Sequence, residues 1–326
     1  MNRLETDLLI VGAGPSGIYA AYYAGFRGLS TVVMDSLEEA GGQITAMYPE
    51  KLIFDVAGFP GIKGKDLIKN LMQQAGAFNP TFVLDETASE LIKHSDGTFT
   101  VKSENHEILA KAIIITGGIG KFTPRPLPAA ADWHGKGAVH FVPHFELHKD
   151  EDIVIVGGGD SAFDWALALH PIAKSVSLVH RRDAFRAHEA SVAQVKELGV
   201  KFYLESEISE VFGDEKIKQV AIKNIKSDEV TTIAADTLVA ALGFTANIGP
   251  LVEWGLELEK RRIVVDTSMM TNIDKIFAAG DISTYPGKVA LISVGFGEAA
   301  TAVNNAAVAI NPSAHLFPGH STGSVD

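Results

Sequence analysis

Residues 6–28 read TDLLIVGAGPSGIYAAYYAGFRG. The stretch opens on an uninterrupted apolar run, the pattern of a strand buried on both faces. A Gly-x-Gly-x-x-Gly turn follows at Gly12, Gly14 and Gly17, and IYAAYYAGF then predicts a helix. STVVMD, residues 30–35, predicts a second strand ending in Asp35. The first glycine permits a tight turn. The second lets the backbone approach a pyrophosphate, and the third lets helix and strand pack closely, with the helix N-terminus facing the phosphates. An acid about 20 residues on bonds a ribose hydroxyl, and Asp35 lies 18 residues beyond Gly17. The assembly predicts a dinucleotide site, with Ser16 inside the turn as a further contact.

EDIVIVGGGDSAFDWALAL, residues 151–169, repeats the device, with Gly157, Gly159, Ser161 and, at the third small position, Ala162. The next strand, SVSLVH, ends at His180. His180 lies 23 residues past Gly157, as Asp35 lies 23 residues past Gly12, so the registers match and the fold is duplicated. The ribose-binding acid is missing from the second copy. Arg181 and Arg182 stand beside its place, with Arg186 a further candidate for the same role. A carboxylate would repel a 2′-phosphate, whereas a guanidinium offers a fork of donors matched to it. The first site therefore suits FAD and the second NADPH. Together they predict a flavoprotein reductase that takes reducing equivalents from NADPH and hands them to a third party.

The bulk numbers leave room for this. A chain of 326 residues predicts about two domains, and 46% apolar residues supply a real core. There is no cysteine, which excludes disulfides, thiolate metal sites and a cysteine nucleophile within this chain. The net charge of −12 argues against nucleic-acid binding. No apolar stretch reaches the ~18 residues that span a bilayer, and MNRLETDLLIVGAG lacks a signal-peptide layout. A soluble, cytoplasmic protein without a membrane segment is expected.

Two segments share one shape: KAIIITGGIGKFTPRPLP at 111–128 and ADTLVAALGFTANIG at 235–249 each run from an apolar strand through glycine into a loop. The second glycine motif lies between them. The expected fold is α/β, with two Rossmann-like three-layer domains. The NADPH domain, 120–245, is inserted into an FAD domain made of 1–119 and 246–326. Residues 81–110 and 201–235 alternate apolar and polar, and each predicts a small antiparallel meander. IFAAGDIS, 276–283, sets Asp281 after a glycine at a strand end, where it would bond the ribityl or pyrophosphate part of FAD.

The order of first glycine motif, inserted second motif with HRRDAFR, and AAGD resembles the two-domain flavoprotein reductases typified by bacterial thioredoxin reductase, over the whole chain. Those enzymes carry a Cys-x-x-Cys pair in the NADPH domain, and this chain, with VGGGDSAFDWA there, has none. GGQITAMYPEKLIFDVAGFPGIKGKDLI at 41–68 and HLFPGHSTG at 315–323 resemble more closely the thioredoxin-reductase-like ferredoxin–NADP⁺ reductases. That resemblance implies a homodimer. It implies Tyr48 stacked on one flavin face and His320, from the other subunit, on the opposite face. It implies Gln43 at the flavin or its ribityl chain, Phe122 near the ring system, Ser321 and Thr322 at the polar edge, and Ala88 where backbone meets adenine. Hydride exchange with a flavin needs no acid–base pair, and none stands out. The expected partner is ferredoxin or flavodoxin. A reductase serving a separate dithiol protein is the alternative, and a non-catalytic flavin-binding sensor is a third.

Overall fold

The computed structural model describes residues 1–320. The chain divides into two compact units, one of Met1–Lys121 with the chain from Ala246 on, the other Phe122–Thr245.

In the first unit, β1 (Asn2–Val11) is extended because its run Leu8–Val11 is buried on both faces. α1 (Pro15–Phe26) follows the glycine turn, with proline in its first turn, where a fixed φ and a missing N–H cost nothing. β2 (Thr31–Met34) returns parallel to β1, with Thr31 opposite Leu8. α2 (Gln43–Met47) and α3 (Gly64–Gly76) lead to β3 (Thr81–Val83), parallel to β2. β4 (Glu90–Lys93), β5 (Phe99–Lys102) and β6 (His106–Ile115) form an antiparallel ribbon. β6 also lies parallel to β1 along its length, so it belongs to ribbon and sheet at once.

The second unit brings β7 (Ala138–Val139), β8 (Asp152–Val156), α4 (Asp160–Leu169), β9 (Ser175–His180), α5 (Glu189–Glu197) and β10 (Lys201–Leu204). β11 (Ser206–Gly213), β12 (Ile217–Asn224) and β13 (Val230–Ala234) make a separate antiparallel ribbon. β14 (Thr237–Ala240) then slots between β7 and β8. Back in the first unit, β15 (Ile276–Ala278) pairs parallel with the end of β6, and α6 (Ile292–Ile310) follows.

The parallel strands run β3-β2-β1-β6-β15 in one unit and β10-β9-β8-β14-β7 in the other, so four strands repeat one order, while the fifth place is taken by a late strand, β15, in one and by the early strand β7 in the other. The expected meanders need one correction. The first strand of each segment, β3 and β10, joins the parallel sheet, and the antiparallel ribbons start only at β4 and β11.

Alternation along β8 shows how the second unit is layered. Val154 and Val156 face a cluster with the ribbon residues Ile208, Val211, Val220 and Ile222. Ile153 and Ile155 face Phe163, Ala166 and Leu169 of α4 and Val195 of α5. Helix, sheet and ribbon thus form three layers, and each such fully buried aliphatic side chain stabilises by about 1.5–3 kcal/mol. The first unit packs Leu8, Ile10, Ile18, Ala21 and Ile113–Ile115 into one continuous core. Among the described residues no helix is long and apolar enough to cross a membrane.

Candidate functional sites

At the first glycine turn the three small positions do three different jobs. Gly12 sits at φ +118°, and a Cβ there would lie 2.6 Å from the Thr116 backbone. A Cβ at Gly17 would lie 1.8 Å from the Gly12 carbonyl oxygen, so only glycine lets α1 start this close to β1. Around Gly14 nothing lies within 4 Å of such an atom, which leaves the backbone open to a ligand. Gly14 is also the residue capping α1, whose first N–H groups and dipole face that opening. Thr116 Oγ1 donates to the Gly12 carbonyl at 2.7 Å and locks the turn from the end of β6.

The Asp35 carboxylate turns back onto this loop. It accepts from Ala13 N at 2.5 Å and Leu37 N at 2.8 Å. Burial pushes its pKa up, against the pull of these backbone donors and that of Ser36. Asp35 is therefore held at the turn by the turn's own amide.

Three further segments converge here. Gly41 N donates to the Ala13 carbonyl at 2.8 Å, and a Cβ at Gly42, which is at φ +59°, would lie 3.1 Å from Gly14 Cα. These contacts bring 41–48 against the turn. The Gln43 amide then reaches Gly118, where an added Cβ would sit 3.3 Å from Nε2. Tyr48 ends α2 and packs on the core; burial first, then the charges of Asp281 and Asp55, push its phenol pKa up. Asp281 follows Gly280, whose added Cβ would meet Ser16 Oγ at 2.9 Å. The structure thus brings Gly12, Gly14, Ser16, Gly17, Asp35, Gln43, Tyr48 and Asp281 into one region.

Ala88 is buried in the loop between β3 and β4, where Glu86 N donates to the Asp35 carbonyl. Among the described residues neither backbone group of Ala88 pairs with another backbone group. Phe122 falls in the second unit, its ring edge-on to Phe141 at 6.2 Å and tilted on Phe244 at 6.0 Å. His320 is exposed and touches Phe317, ring centroids 5.2 Å apart. The segment ahead of it is tied to the C-terminal end of α1, where Arg27 donates to the carbonyls of His315 and Leu316. Ser321 and Thr322 lie outside the described residues.

The second turn repeats the first with different side chains. A Cβ at Gly157 would lie 2.4 Å from the Ala241 carbonyl oxygen, while around Gly159, the cap of α4, nothing lies within 4 Å. Ala162 is fully buried, and Ser161 is exposed at the start of α4. His180 occupies the place of Asp35 without reproducing it. Its ring lies over Gly158, where a Cβ would come within 2.3 Å of it, and Nε2 pairs with the Ala184 carbonyl at 3.2 Å. Burial first, then Arg182, Arg181 and Arg186, pull its pKa down. Arg186 N donates to the Gly158 carbonyl at 2.8 Å, so the loop after β9 folds back onto the glycine turn. The three arginines are exposed, and none pairs with a carboxylate among the described residues. Three guanidinium groups thus stand on the loop that folds back beside the N-terminus of α4.

Sequence reading missed Thr116, the backbone anchor of Arg186 and the ring of His180 over Gly158. Thr116 carries a signal, a polar residue at a strand exit facing glycines. The other two depend on loop closure and carry none.

The pyridine nucleotide-disulphide oxidoreductase family matches residues 6–306. The ferredoxin–NADP reductase of Saccharopolyspora erythraea is 55% identical over 98% of this chain and 97% of its own length. That of Halalkalibacterium halodurans is 49% identical over 99% of both. Among solved structures, T. acidophilum thioredoxin reductase matches 93% of this chain and 98% of its own, at TM-score 0.76 and 26% identity. Lactococcus lactis thioredoxin reductase matches 94% and 99%, at TM-score 0.75 and 27% identity.

Proposed function

The chain belongs to the pyridine nucleotide-disulphide oxidoreductase family, in the group of its ferredoxin–NADP reductases, and we propose that it exchanges electrons between NADPH and a one-electron carrier, with FAD bound in the first unit. One observation carries the reading: two turns of the same build end in opposite charge, Asp35 at one and Arg181, Arg182 and Arg186 at the other.

The residues fit both groups. Gly14 and Gly159 leave open backbone at helix N-termini, where a pyrophosphate binds. Asp35 and Asp281 would hold FAD at its ribose and its ribityl or pyrophosphate part, with Ala88 backbone at the adenine and Gln43 near the flavin. Tyr48 would cover one ring face and keep water from it. The arginines would hold the 2′-phosphate of NADPH. FAD, when bound, supplies the conversion between paired and single electrons. The two solved structures named above are thioredoxin reductases, but this chain has no cysteine with which to form a redox pair of its own.

The proposal extends to ferredoxin or flavodoxin as carrier, to action in the cytoplasm, and to a homodimer. In that dimer His320 covers the flavin of the partner subunit. The anchoring of the tail supports the crossing. α1 has 12 residues, and at 1.5 Å each Arg27 is about 18 Å along the helix from the glycine turn. Steady-state NADPH oxidation with ferredoxins, flavodoxins and thioredoxins as acceptors tests the function. Turnover with the first two and none with thioredoxin is expected, and the reverse result would replace the carrier with a dithiol protein. A chain ending before Pro318 tests the tail: FAD stays bound, but its visible spectrum and its reduction rate in stopped flow change. Identical spectra and rates would make the tail a bystander.

A further inference from the structure

Beneath the Gly280–Asp281 turn lies an ion pair with almost no access to water. The side chains of Lys288 and Glu298 are each 4% exposed, and Nζ touches both carboxylate oxygens. Glu298 is the one charged residue of α6, in a helix otherwise built of small, apolar and amide side chains. Burying two charges is costly unless their remaining hydrogen-bonding capacity is also met. It is met here by one short piece of backbone and two neighbouring hydroxyls. Glu298 Oε2 accepts from Gly280 N at 2.8 Å, and Lys288 Nζ donates to the Gly280 carbonyl at 3.0 Å. Tyr285 OH donates to Glu298 Oε1 at 2.6 Å, and Ser283 Oγ, itself bonded to the Gly280 carbonyl at 2.8 Å, takes a bond from Lys288 at 3.3 Å.

Both polar groups of a single residue are thus gripped by the two members of the pair. Gly280 is at φ +79°, a conformation that L side chains rarely adopt, and Ser16 of α1 lies against its other side. The residue after it is Asp281. A core needs no such arrangement for stability, since apolar side chains of the same volume do as well or better. What the arrangement fixes is the direction in which the turn presents its next side chain.

We infer that Lys288 and Glu298 form a positioning clamp, which sets the Gly280–Ile282 turn in advance so that Asp281 already points to where FAD is to bind. The inference rests on the FAD reading of the first unit. A preset contact binds more tightly than one ordered on binding, because the ordering is complete beforehand.

The test uses the full chain stripped of FAD, with variants Glu298→Gln, Asp281→Ala and the two combined. Fluorescence titration gives the FAD dissociation constant, thermal unfolding gives stability, and hydrogen exchange reports on the Gly280 amide. Glu298→Gln weakens a charge-assisted bond, so FAD binds about tenfold more weakly and the Gly280 amide exchanges faster. In the Asp281→Ala background the same change adds less than about twofold, because the clamp acts through Asp281. If Glu298→Gln lowers stability alone, or adds its full effect without Asp281, the pair is merely structural and the inference falls. Should Glu298→Gln fail to fold, Tyr285→Phe keeps the ion pair and removes one bond. It loosens FAD about threefold, and an unchanged dissociation constant together with unchanged exchange overturns the clamp. Absence of FAD affinity in the unaltered chain would overturn the FAD reading itself, whatever the variants do.

Discussion

The two units share the order of four parallel strands and a glycine turn but treat the end of the second of those strands in opposite ways. In the first, Asp35 bends back and accepts from Ala13 in the turn. In the second, His180 uses its ring as a spacer over Gly158, and the charge is carried by arginines on the following loop. The scaffold fixes where the position lies, and the side chain sets the charge presented there. The difference reaches the third strand. Glu86, after β3, donates its amide to the Asp35 carbonyl, and Glu205, after β10, donates its amide to that of Arg182. Glu86 is buried among Asn105 and His106, whereas Glu205 pairs with Lys226 nearer the surface.

The hardest way to break the parallel is at the third small position. Gly17→Ala drives a methyl into the Gly12 carbonyl, so the first unit loses about 3 kcal/mol or more. The check is the melting temperature and flavin content of the purified variant. Next is charge. Neutralising Arg181 and Arg182 together removes two charge-assisted bonds of about 1.5–3 kcal/mol each and raises the KM for NADPH about 100-fold or more. NADH kinetics stay nearly unchanged, and an unaltered cofactor preference would remove the arginines from the site. Third, Asp35→Ala weakens FAD retention about tenfold, by loss of the ribose bond and of the brace on Ala13. Full flavin with unchanged unfolding would show that Asp35 holds neither. Fourth, Ala162→Gly, the reverse of the first change, costs only about 1 kcal/mol, the difference between alanine and glycine in a helix. A collapse as severe as that of Gly17→Ala would mean the two turns are not equivalent.

The smallest effect concerns Glu86. Hydrogen bonds, first from Ser103 and then from Asn105 and His106, outweigh desolvation and hold the Glu86 carboxyl down at about 2. A carboxyl lowered in the folded state stabilises fully above its ordinary pKa of about 4.5. That stabilisation is lost as pH falls from there towards 2. Chemical unfolding between pH 5 and 2 should therefore show a steeper acid loss for the natural chain than for Glu86→Gln.

Much of this was legible in the sequence because glycine turns are local. Gly12 to Asp35 and Gly157 to His180 keep a common spacing, and each motif carries its strand and helix with it. The ribbons were legible only from β4 and β11 onward. β3 is a strand of three residues, too short for alternation to tell a parallel edge from a hairpin arm. His180 read as a gap where an acid should be. That its ring fills the space over Gly158 follows from a loop whose closure leaves no trace in spacing. Glu298 and Lys288 stand ten residues apart and meet only because the turn before them bends back. A lone acid in a small-residue helix is the one mark the pair leaves in the sequence.

β6 has a consequence for how the molecule is made. Its last residues, Ile113, Ile114 and Ile115, are fully buried, and their flank is covered by β15. The 160 residues from 116 to 275 come between the two strands. At about 5–20 residues per second, a ribosome takes roughly 8–30 s to supply the missing neighbour. For that interval the nascent chain carries three isoleucines along an open parallel edge, a template for pairing with another chain. Synthesis stalled before Ile276 therefore yields a product that is sticky at a defined strand, and the last turn of the sheet is closed by residues that emerge only after the whole inserted unit.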